Sequence, residues 1–305
     1  MTTDNIIVIE DHPSNGKCCI FPNRHKISAS NKSIDLKNID HVIFNYNEEL
    51  PHKQHLINEF IATKNLIKDK KNTIKFYNDP EVCFNIGNKF STYEMLKHIN
   101  NNLVRLPKYK LIKKIEDTKD VSFLPCIVKN CSDTIPADAI DPIANSVEEL
   151  NKIVPNFILQ EGTLCLEFID SYVKQLQSYC SLRLLVINNI LVDYHARPSK
   201  KWRIKTFDAS ANNIIQADNF FKLFIQDNKK DLQDYIDGFY DVFGRGFYVH
   251  DLILGQDNKL YFCESGIKFS MPVARRILNS KNLLQDKISM SDSKLINFYT
   301  RSMGI

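Results

Sequence analysis

Short apolar runs and one helical pattern organise the first 85 residues of the chain. The runs at 6–9 and 41–44 are typical of buried strands, and Lys75-Phe76-Tyr77 predicts a third strand. Between the last two runs, at 48–70, apolar residues recur at the spacing of one helix face. The members of that face are Leu56, Ile57, Phe60, Ile61 and Ile67. The order strand, strand, helix, strand predicts a small α/β layer domain.

Two antiparallel hairpins give the clearest pattern in the rest of the chain. Apolar runs at 184–187 and 190–194 are joined by Asn188-Asn189. Asparagine tolerates the positive φ of a two-residue primed turn, so a tight hairpin is predicted there. A second hairpin is predicted from the apolar runs at 249–254 and 260–263, which are joined by a short polar segment.

Helical signals lie on both sides of these hairpins. A serine followed by an acidic residue at the third position predicts a helix N-cap at Ser91, and 146–149 predicts the start of a short helix. The stretch 217–243 predicts two helices, and 272–283 predicts another. A short apolar strand is predicted at 125–129.

The composition fits a chain that buries a substantial core. With roughly 100–200 residues per domain, the 305 residues predict two packed units. Hydrophobic residues make up 43% and charged residues 25%, which excludes a disordered, collagen-like or coiled-coil chain. The net charge of +4 argues against a dedicated nucleic-acid binder. No apolar stretch approaches the length of a membrane span, and no signal peptide is predicted.

The cysteines and glycines exclude several kinds of site. Eight cysteines show no C-x-x-C spacing and no zinc-finger spacing with histidines. Several lie in apolar runs, which predicts small buried side chains in a reducing, cytoplasmic location. The nine glycines form neither a dinucleotide fingerprint nor a P-loop.

Two carboxylates mark the open end of the second hairpin. Counted outward from the turn, Asp251 and Glu264 lie at the same end of the two strands and can face the same side. Bound Mg²⁺ would neutralise such a pair with the help of phosphate oxygens. The alternative is a pair of strand-end carboxylates that face water, and the hairpin pattern alone leaves both interpretations open.

Basic side chains occur in or beside the apolar runs. Lys129 ends a strand, where it can contact a phosphate as a point charge or extend into solvent. Arg183 lies inside an apolar run and needs an anionic partner, and Arg197 follows the other strand of the same hairpin. We predict that His195 and His250 are hydrogen-bonded core residues rather than catalytic bases.

Three segments are rich in basic residues. The lysines at 64–75 and 108–114 predict solvated faces, with a docking patch for an acidic partner as the alternative. The segment 197–206 is also strongly basic and contains the only tryptophan. We predict that it recognises an acidic substrate or peptide through Arg203 and Lys205. An exposed basic loop is the alternative.

The order of these features resembles the ATP-grasp enzymes. The sequence at 78–89 is similar to the entry into their nucleotide-binding fold, and 125–129 is similar to their strand with a phosphate-binding lysine. The sequence at 166–170 resembles their adenine hinge, the run around Arg183 their arginine hairpin, and 246–264 their metal hairpin. The resemblance covers most of the chain. It implies an α/β (α+β) ATP-grasp fold with a small N-terminal α/β domain.

The resemblance also implies a domain organisation. Residues 1–88 would form the N-terminal domain and 89–305 the ATP-grasp domain. Within the latter, 89–165 would be the lid-bearing subdomain and 166–305 the C-terminal subdomain for metal and nucleotide.

By this resemblance, individual residues take roles in binding and catalysis. The ATP-binding residues that it implies are Lys89, Lys129, Glu167, Phe168 and Asp170. The two lysines would hold phosphates, and the other three would meet adenine and ribose. Asp251 and Glu264 would hold Mg²⁺. Arg183 and Arg197 would be catalytic and would face the acyl phosphate or the substrate carboxylate.

The resemblance implies an ADP-forming ligase that joins a small-molecule or peptide carboxylate to an amine or similar nucleophile. ATP would activate the carboxylate as an acyl phosphate. A phosphotransferase of the polyol-phosphate kinase type and a non-catalytic nucleotide-binding protein stay open as alternatives. The non-catalytic alternative is favoured by the absence of glycine at 130–136 and by Gly266 in place of an asparagine metal ligand. Neither the substrates nor the oligomeric state follows from the sequence.

Overall fold

The N-terminal part of the chain forms a four-stranded parallel sheet. The computed structural model describes residues 6–10, 25–28, 36–45, 54–131, 141–157, 162–203 and 209–267. The first elements are β1 (Ile6–Glu10), β2 (His25–Ser28), β3 (His41–Asn45), α1 (Gln54–Lys70) and β4 (Lys75–Tyr77). The strand order is β2-β1-β3-β4. The three predicted strands and the helix are confirmed. The sequence pattern misses β2 because only Ile27 in it is apolar.

Asn78 joins this sheet to the rest of the molecule. It is fully buried and has a φ of 55°, a region that asparagine tolerates better than most residues. Its Nδ2 donates to the Phe44 carbonyl at 3.0 Å, and its Oδ1 accepts from the Phe247 amide at 2.8 Å. The side chain therefore fixes the end of the first sheet against a strand of the larger sheet.

The chain then forms α2 (Pro80–Cys83), α3 (Lys89–Leu96) and the short strand β5 (Val104–Arg105). The N-cap of α3 is Asn88, whose Oδ1 accepts from the Ser91 amide at 3.0 Å. The prediction of Ser91 as N-cap is wrong, because asparagine caps a helix as well as serine and Asn88 precedes it in the chain.

A smaller antiparallel sheet follows. Its elements are β6 (Tyr109–Ile112), β7 (Cys126–Asn130), β8 (Ile143–Ala144), α4 (Val147–Ile153) and β9 (Thr163–Glu167). The strand order is β6-β9-β7-β8, and α4 begins at the N-cap Ser146. Val128 and Leu150 are among the fully buried residues of the small core beneath this sheet. The predicted strand and short helix are confirmed.

The larger sheet contains both predicted hairpins. Besides β5, its strands are β10 (Tyr172–Val173), β11 (Ser178–Ile187), β12 (Ile190–Ser199), β13 (Phe247–Leu254) and β14 (Leu260–Gly266). The order is β10-β11-β13-β14-β5, with β12 paired to β11. All pairs are antiparallel except β14 with β5. Asn188 has a φ of 56° in the tight turn, as predicted.

Two helices separate β12 from β13. They are α5 (Ala211–Asp227) and α6 (Lys229–Phe243), which confirms the two helices predicted at 217–243. The helix predicted at 272–283 lies outside the described residues. No helix in the described ranges has both the length and the apolar character of a membrane span.

The cysteines that the structure describes are mostly buried. Five are buried, and Cys263 is half-buried. Cys18 and Cys19 lie outside the described residues. The burial agrees with the prediction of small apolar side chains.

The predicted domain boundaries fall at two different kinds of position. The boundary after residue 88 lies between the N-cap and the first residue of α3. The boundary after residue 165 lies inside β9. The division of the chain into domains stays a prediction.

Candidate functional site

A cross-strand pair of carboxylates lies at the centre of the site. Asp251 on β13 is directly opposite Glu264 on β14, and the register shifts immediately afterwards, so that Leu252 faces Phe262. Cys263 is therefore the extra residue of a β-bulge. Because directly opposed residues project from the same face, the two carboxylates face one site. The sequence prediction that they share one end of the hairpin agrees with this register.

Asp251 is held by the two arginines that the sequence singled out. Arg183 donates from Nε to Oδ1 and from Nη2 to Oδ2, both at 2.6 Å, and Arg197 Nη2 lies 2.8 Å from Oδ2. The Asp251 side chain is only 7% exposed. Burial acts to raise its pKa, but the guanidinium groups of Arg197 and Arg183 outweigh burial and hold the pKa well below the usual range. Asp251 is therefore a carboxylate in a two-arginine clamp.

Glu264 pairs with a buried lysine. Lys89, the first residue of α3, places its Nζ 3.4 Å from Glu264 Oε2. The lysine side chain is 8% exposed, whereas the glutamate is 39% exposed. Burial lowers the pKa of Lys89, and the nearby Lys129 lowers it further, against the opposing effect of Glu264. Keeping this ammonium group buried costs free energy, which indicates that Lys89 serves a function rather than the stability of the fold.

A third carboxylate, Asp141, was not predicted. Its Oδ2 lies 3.4 Å from Lys129 Nζ and 3.9 Å from Arg203 Nη2. Nothing in the local sequence distinguishes this aspartate, because it precedes a proline in a loop-like tract with no periodicity. Its partners are distant in sequence, so only the tertiary structure reveals the cluster.

These charged groups line one cavity of about 290 Å³ between the smaller and the larger sheet. Its basic residues are Lys89, Lys129, Arg197 and Arg203, and its acidic residues are Asp141, Asp251 and Glu264. Arg183, which donates two hydrogen bonds to Asp251, is not among the lining residues. The formal charge of the lining is +1. Ile127, Ile169 and Ile253 supply apolar surface in the same cavity.

The residues predicted at the adenine hinge lie beside the cavity rather than on its wall. Ile169 and Ser171 line the cavity, whereas Glu167, Phe168 and Asp170 do not. Glu167 Oε2 accepts from the Lys108 amide at 3.1 Å, and the Phe168 amide donates to the Pro125 carbonyl at 3.0 Å. Asp170 Oδ1 accepts from the Tyr172 amide at 3.1 Å. Their roles toward adenine and ribose stay predictions.

Trp202 connects the hinge to the basic segment. It lines the cavity, and its ring meets Phe168 edge-on at 5.6 Å between centroids. Arg203 follows directly, whereas Lys205 lies outside the described residues. Sequence reasoning noted Trp202 as the only tryptophan but gave it no role.

The two histidines near the site are buried. His250 is completely buried, its Nδ1 lies 3.1 Å from Tyr235 Oη, and burial lowers its pKa to about 3. His195 is 2% exposed. Both observations fit core residues.

The donor set suits a magnesium nucleotide better than a metal held by protein alone. Within the described ranges, no group of three or more histidine, cysteine or acidic side chains could hold a metal ion. Mg²⁺ characteristically uses one or two carboxylates together with waters and phosphate oxygens. The opposed Asp251 and Glu264, with basic side chains around them, fit that requirement. Mg²⁺ at Asp251 would compete with the arginine contacts.

Comparison with known proteins gives a fold. No family model matches the chain, and no curated protein matches it in sequence. Among solved structures, the RimK domain protein ATP-grasp from Sphaerobacter thermophilus has a TM-score of 0.56 at 10% identity and covers 97% of this chain and 98% of that one. The ATP-grasp ligase PsnB was solved with a phosphomimetic variant of its minimal precursor, Mg and ADP. Its structure has a TM-score of 0.59 at 11% identity, and the match covers 99% of this chain and 100% of the PsnB chain. D-alanine–D-alanine ligase from Bacillus anthracis, complexed with ATP, has a TM-score of 0.53 at 14% identity and covers 98% and 96%. The chain therefore has the ATP-grasp fold.

Proposed function

We propose that the chain is an ATP-dependent, ADP-forming ligase that activates a carboxylate as an acyl phosphate and joins it to an amine or similar nucleophile. The observation that carries this proposal is the pair Asp251 and Glu264, opposed on one hairpin and surrounded by basic side chains in a single cavity. Phosphoryl transfer depends on positioned cations that stabilise charge on the transferred group. A cavity with this arrangement suits that task.

The nucleotide roles are assigned to residues on both sides of the cavity. Lys89 and Lys129 would hold phosphates, and Asp251 and Glu264 would hold Mg²⁺. Bound Mg-ATP would supply the phosphoryl group and neutralise part of its charge. The isoleucines of the cavity and the neighbouring hinge at 167–170 would accept the adenosine. ATP and Mg in the solved complexes of similar fold support this assignment.

The basic residues on the larger sheet are assigned to the acceptor side. Arg183 and Arg197 would orient the substrate carboxylate and the phosphoryl oxygens once bound Mg²⁺ competes with them for Asp251. Arg203, and by the sequence prediction Lys205, would recognise an acidic group of the substrate. PsnB was solved with a precursor peptide, so a peptide substrate is one class to test.

A non-catalytic nucleotide-binding protein is the second candidate. Both oxygens of Asp251 are already engaged by arginines, and Gly266 ends β14 where a further oxygen ligand is expected. Product analysis distinguishes the possibilities. A ligase releases free phosphate with its acceptor present, a phosphotransferase retains it on the product, and a binding protein yields neither.

Calorimetric titration with the non-hydrolysable Mg-AMPPNP tests the proposed site. The wild type is expected to bind, and removal of Mg²⁺ with EDTA is expected to weaken binding. Glu264→Gln is expected to reduce the effect of EDTA, because the glutamine lacks the negative charge of the metal ligand. Asp120→Asn, a change at an exposed ion pair with Lys110, is the matched control. Equal affinity with and without Mg²⁺ in the wild type would contradict the proposal.

A further inference from the structure

Asp141 joins two basic residues that the proposed function assigns to different ligands. The same oxygen, Oδ2, contacts Lys129 at 3.4 Å and Arg203 at 3.9 Å. The Asp141 side chain is 12% exposed, so water screens these contacts less than it would on the surface. One carboxylate oxygen of Asp141 contacts both cations. A ligand that draws one cation away therefore changes the electrostatic interaction between Asp141 and the other cation.

The backbone around Asp141 belongs to the smaller sheet. The carbonyl of the next residue, Pro142, accepts from the Val128 amide at 3.0 Å, immediately before Lys129 in β7. The carboxylate is thus fixed beside the strand that carries the lysine. Arg203 reaches it from the other side, four residues after the end of β12.

Trp202 gives the same segment a second contact with the smaller sheet. Its ring contacts Phe168, which directly follows β9 and whose backbone amide donates a hydrogen bond to the Pro125 carbonyl. Residues 200–203 therefore reach from the larger sheet to the smaller one at two neighbouring points, one aromatic and one ionic.

We propose that Asp141 is a positioning residue that couples nucleotide binding at Lys129 to substrate recognition at Arg203. The inference rests on the proposed function and deepens it. A nucleotide phosphate at Lys129 removes one of the two cations that share Asp141, so the carboxylate holds Arg203 more firmly. Trp202 moves with Arg203 because the two are adjacent. By thermodynamic reciprocity, an acidic ligand at Arg203 changes nucleotide affinity by the same factor.

The only tryptophan of the chain reports on this coupling directly. In the nucleotide-free protein, Asp141→Asn is expected to increase quenching of Trp202 fluorescence by acrylamide, because the segment loses its ionic contact. Asp141→Glu is expected to restore the wild-type value. Asp120→Asn removes an exposed ion pair with Lys110 of the smaller sheet and is expected to leave quenching unchanged.

The response of Trp202 emission to nucleotide distinguishes coupling from a merely structural role of Asp141, because a structural role alone would leave this response unchanged. Saturating Mg-ADP is expected to shift Trp202 emission in the wild type and in Asp120→Asn. The shift is expected to be lost in Asp141→Asn, although calorimetry still detects nucleotide binding, and to return in Asp141→Glu. If Asp141→Asn does not fold, Arg203→Gln removes the same pair from the other side, with the exposed Arg105→Gln as control.

The outcomes separate this inference from the proposed function. A wild-type emission shift in a folded Asp141→Asn or Arg203→Gln protein that binds Mg-ADP overturns the coupling alone. Failure of the wild type to bind Mg-ADP overturns the proposed function and the coupling together. Loss of the shift with retained binding supports both.

Discussion

Ion pairs at the cavity and ion pairs on the outer surface differ in burial more than in chemistry. Asp251 is 7% exposed. It accepts two hydrogen bonds from Arg183, and the guanidinium group of Arg197 lies 2.8 Å from its Oδ2. On the outer surface, Lys110 and Asp120 lie 3.7 Å apart with 40% and 54% of their side chains exposed. Both regions thus pair an acid with a base, but only one does so away from water.

The difference indicates where charge serves function. Exposed pairs contribute about 0–1 kcal/mol because water and salt screen them. Buried pairs are often no better than apolar residues of the same size, yet breaking one of them is strongly destabilising. A chain that keeps three carboxylates and several cations in one cavity gains little stability from them. Such a cluster is therefore the place to expect ligand binding.

The lysines at 108–114 follow the solvated interpretation, whereas Lys64 contradicts it, because Lys64 is 7% exposed and pairs with Asp79 and Glu81. Lys108 lies 3.6 Å from Glu167, and Lys110 lies 3.7 Å from Asp120. These neighbouring acids reduce the positive field that a docking patch for an acidic partner would need.

The largest expected effect comes from breaking the buried clamp. Asp251→Asn leaves Arg183 and Arg197 without their carboxylate, and the free energy of unfolding is expected to fall by about 3–5 kcal/mol. Urea denaturation measures this change. Asp257→Asn, at the exposed pair with Arg105, is the control and is expected to lose less than about 1 kcal/mol. Equal losses in the two variants would remove the contrast between the regions.

A smaller effect is expected from a substitution of Lys89, which should raise thermal stability but weaken nucleotide binding. Lys89→Met removes a buried ammonium group, and the exposed part of Glu264 can still be hydrated. The nucleotide-free protein is expected to melt at a higher temperature than the wild type. A charged hydrogen bond is worth about 1.5–3 kcal/mol, so the Kd for Mg-ADP is expected to rise by about tenfold or more. Lower stability together with unchanged affinity would make Lys89 a structural residue.

The smallest effect is expected at the outer surface. A double-mutant cycle with Lys110→Met and Asp120→Asn is expected to give a coupling energy below about 1 kcal/mol. Addition of 0.5 M NaCl, which shortens the screening length to a few ångströms, is expected to reduce it further (the Debye length is about 3 Å at 1 M). A coupling as large as that of the Asp251 clamp would show that burial does not set the difference.

The sequence could predict those parts of the site that depend on local patterns. Asp251 and Glu264 lie on one hairpin, so counting residues from the turn brings them to the same end. The bulge at Cys263, which sets their final register, leaves no local signature, because an extra residue in a strand looks like any other. The hairpin and its carboxylates were therefore predictable, but the register was not.

The contacts of Asp141 could not be predicted in this way. Lys129 lies on a strand of the smaller sheet and Arg203 follows a strand of the larger one, so their approach to Asp141 depends on how those sheets pack. No periodicity or turn signal encodes such packing. The same reason explains β2, whose pairing with β1 compensates for a nearly polar sequence. At Asn88 the limit was different, since Asn88 and Ser91 lie three positions apart and local cap preference does not separate them.

Thermal unfolding with Mg-ATP and Mg-ADP tests the central claim most directly. A ligand at 100 times its Kd stabilises the folded state by about 2.7 kcal/mol, which corresponds to a rise of several degrees in Tm for a chain of this size. The account predicts such a rise in the wild type and in Asp120→Asn, its loss on chelation of Mg²⁺, and a much smaller rise in Glu264→Gln. A rise that is independent of Mg²⁺ and unchanged in Glu264→Gln would contradict the assignment of the nucleotide to this hairpin.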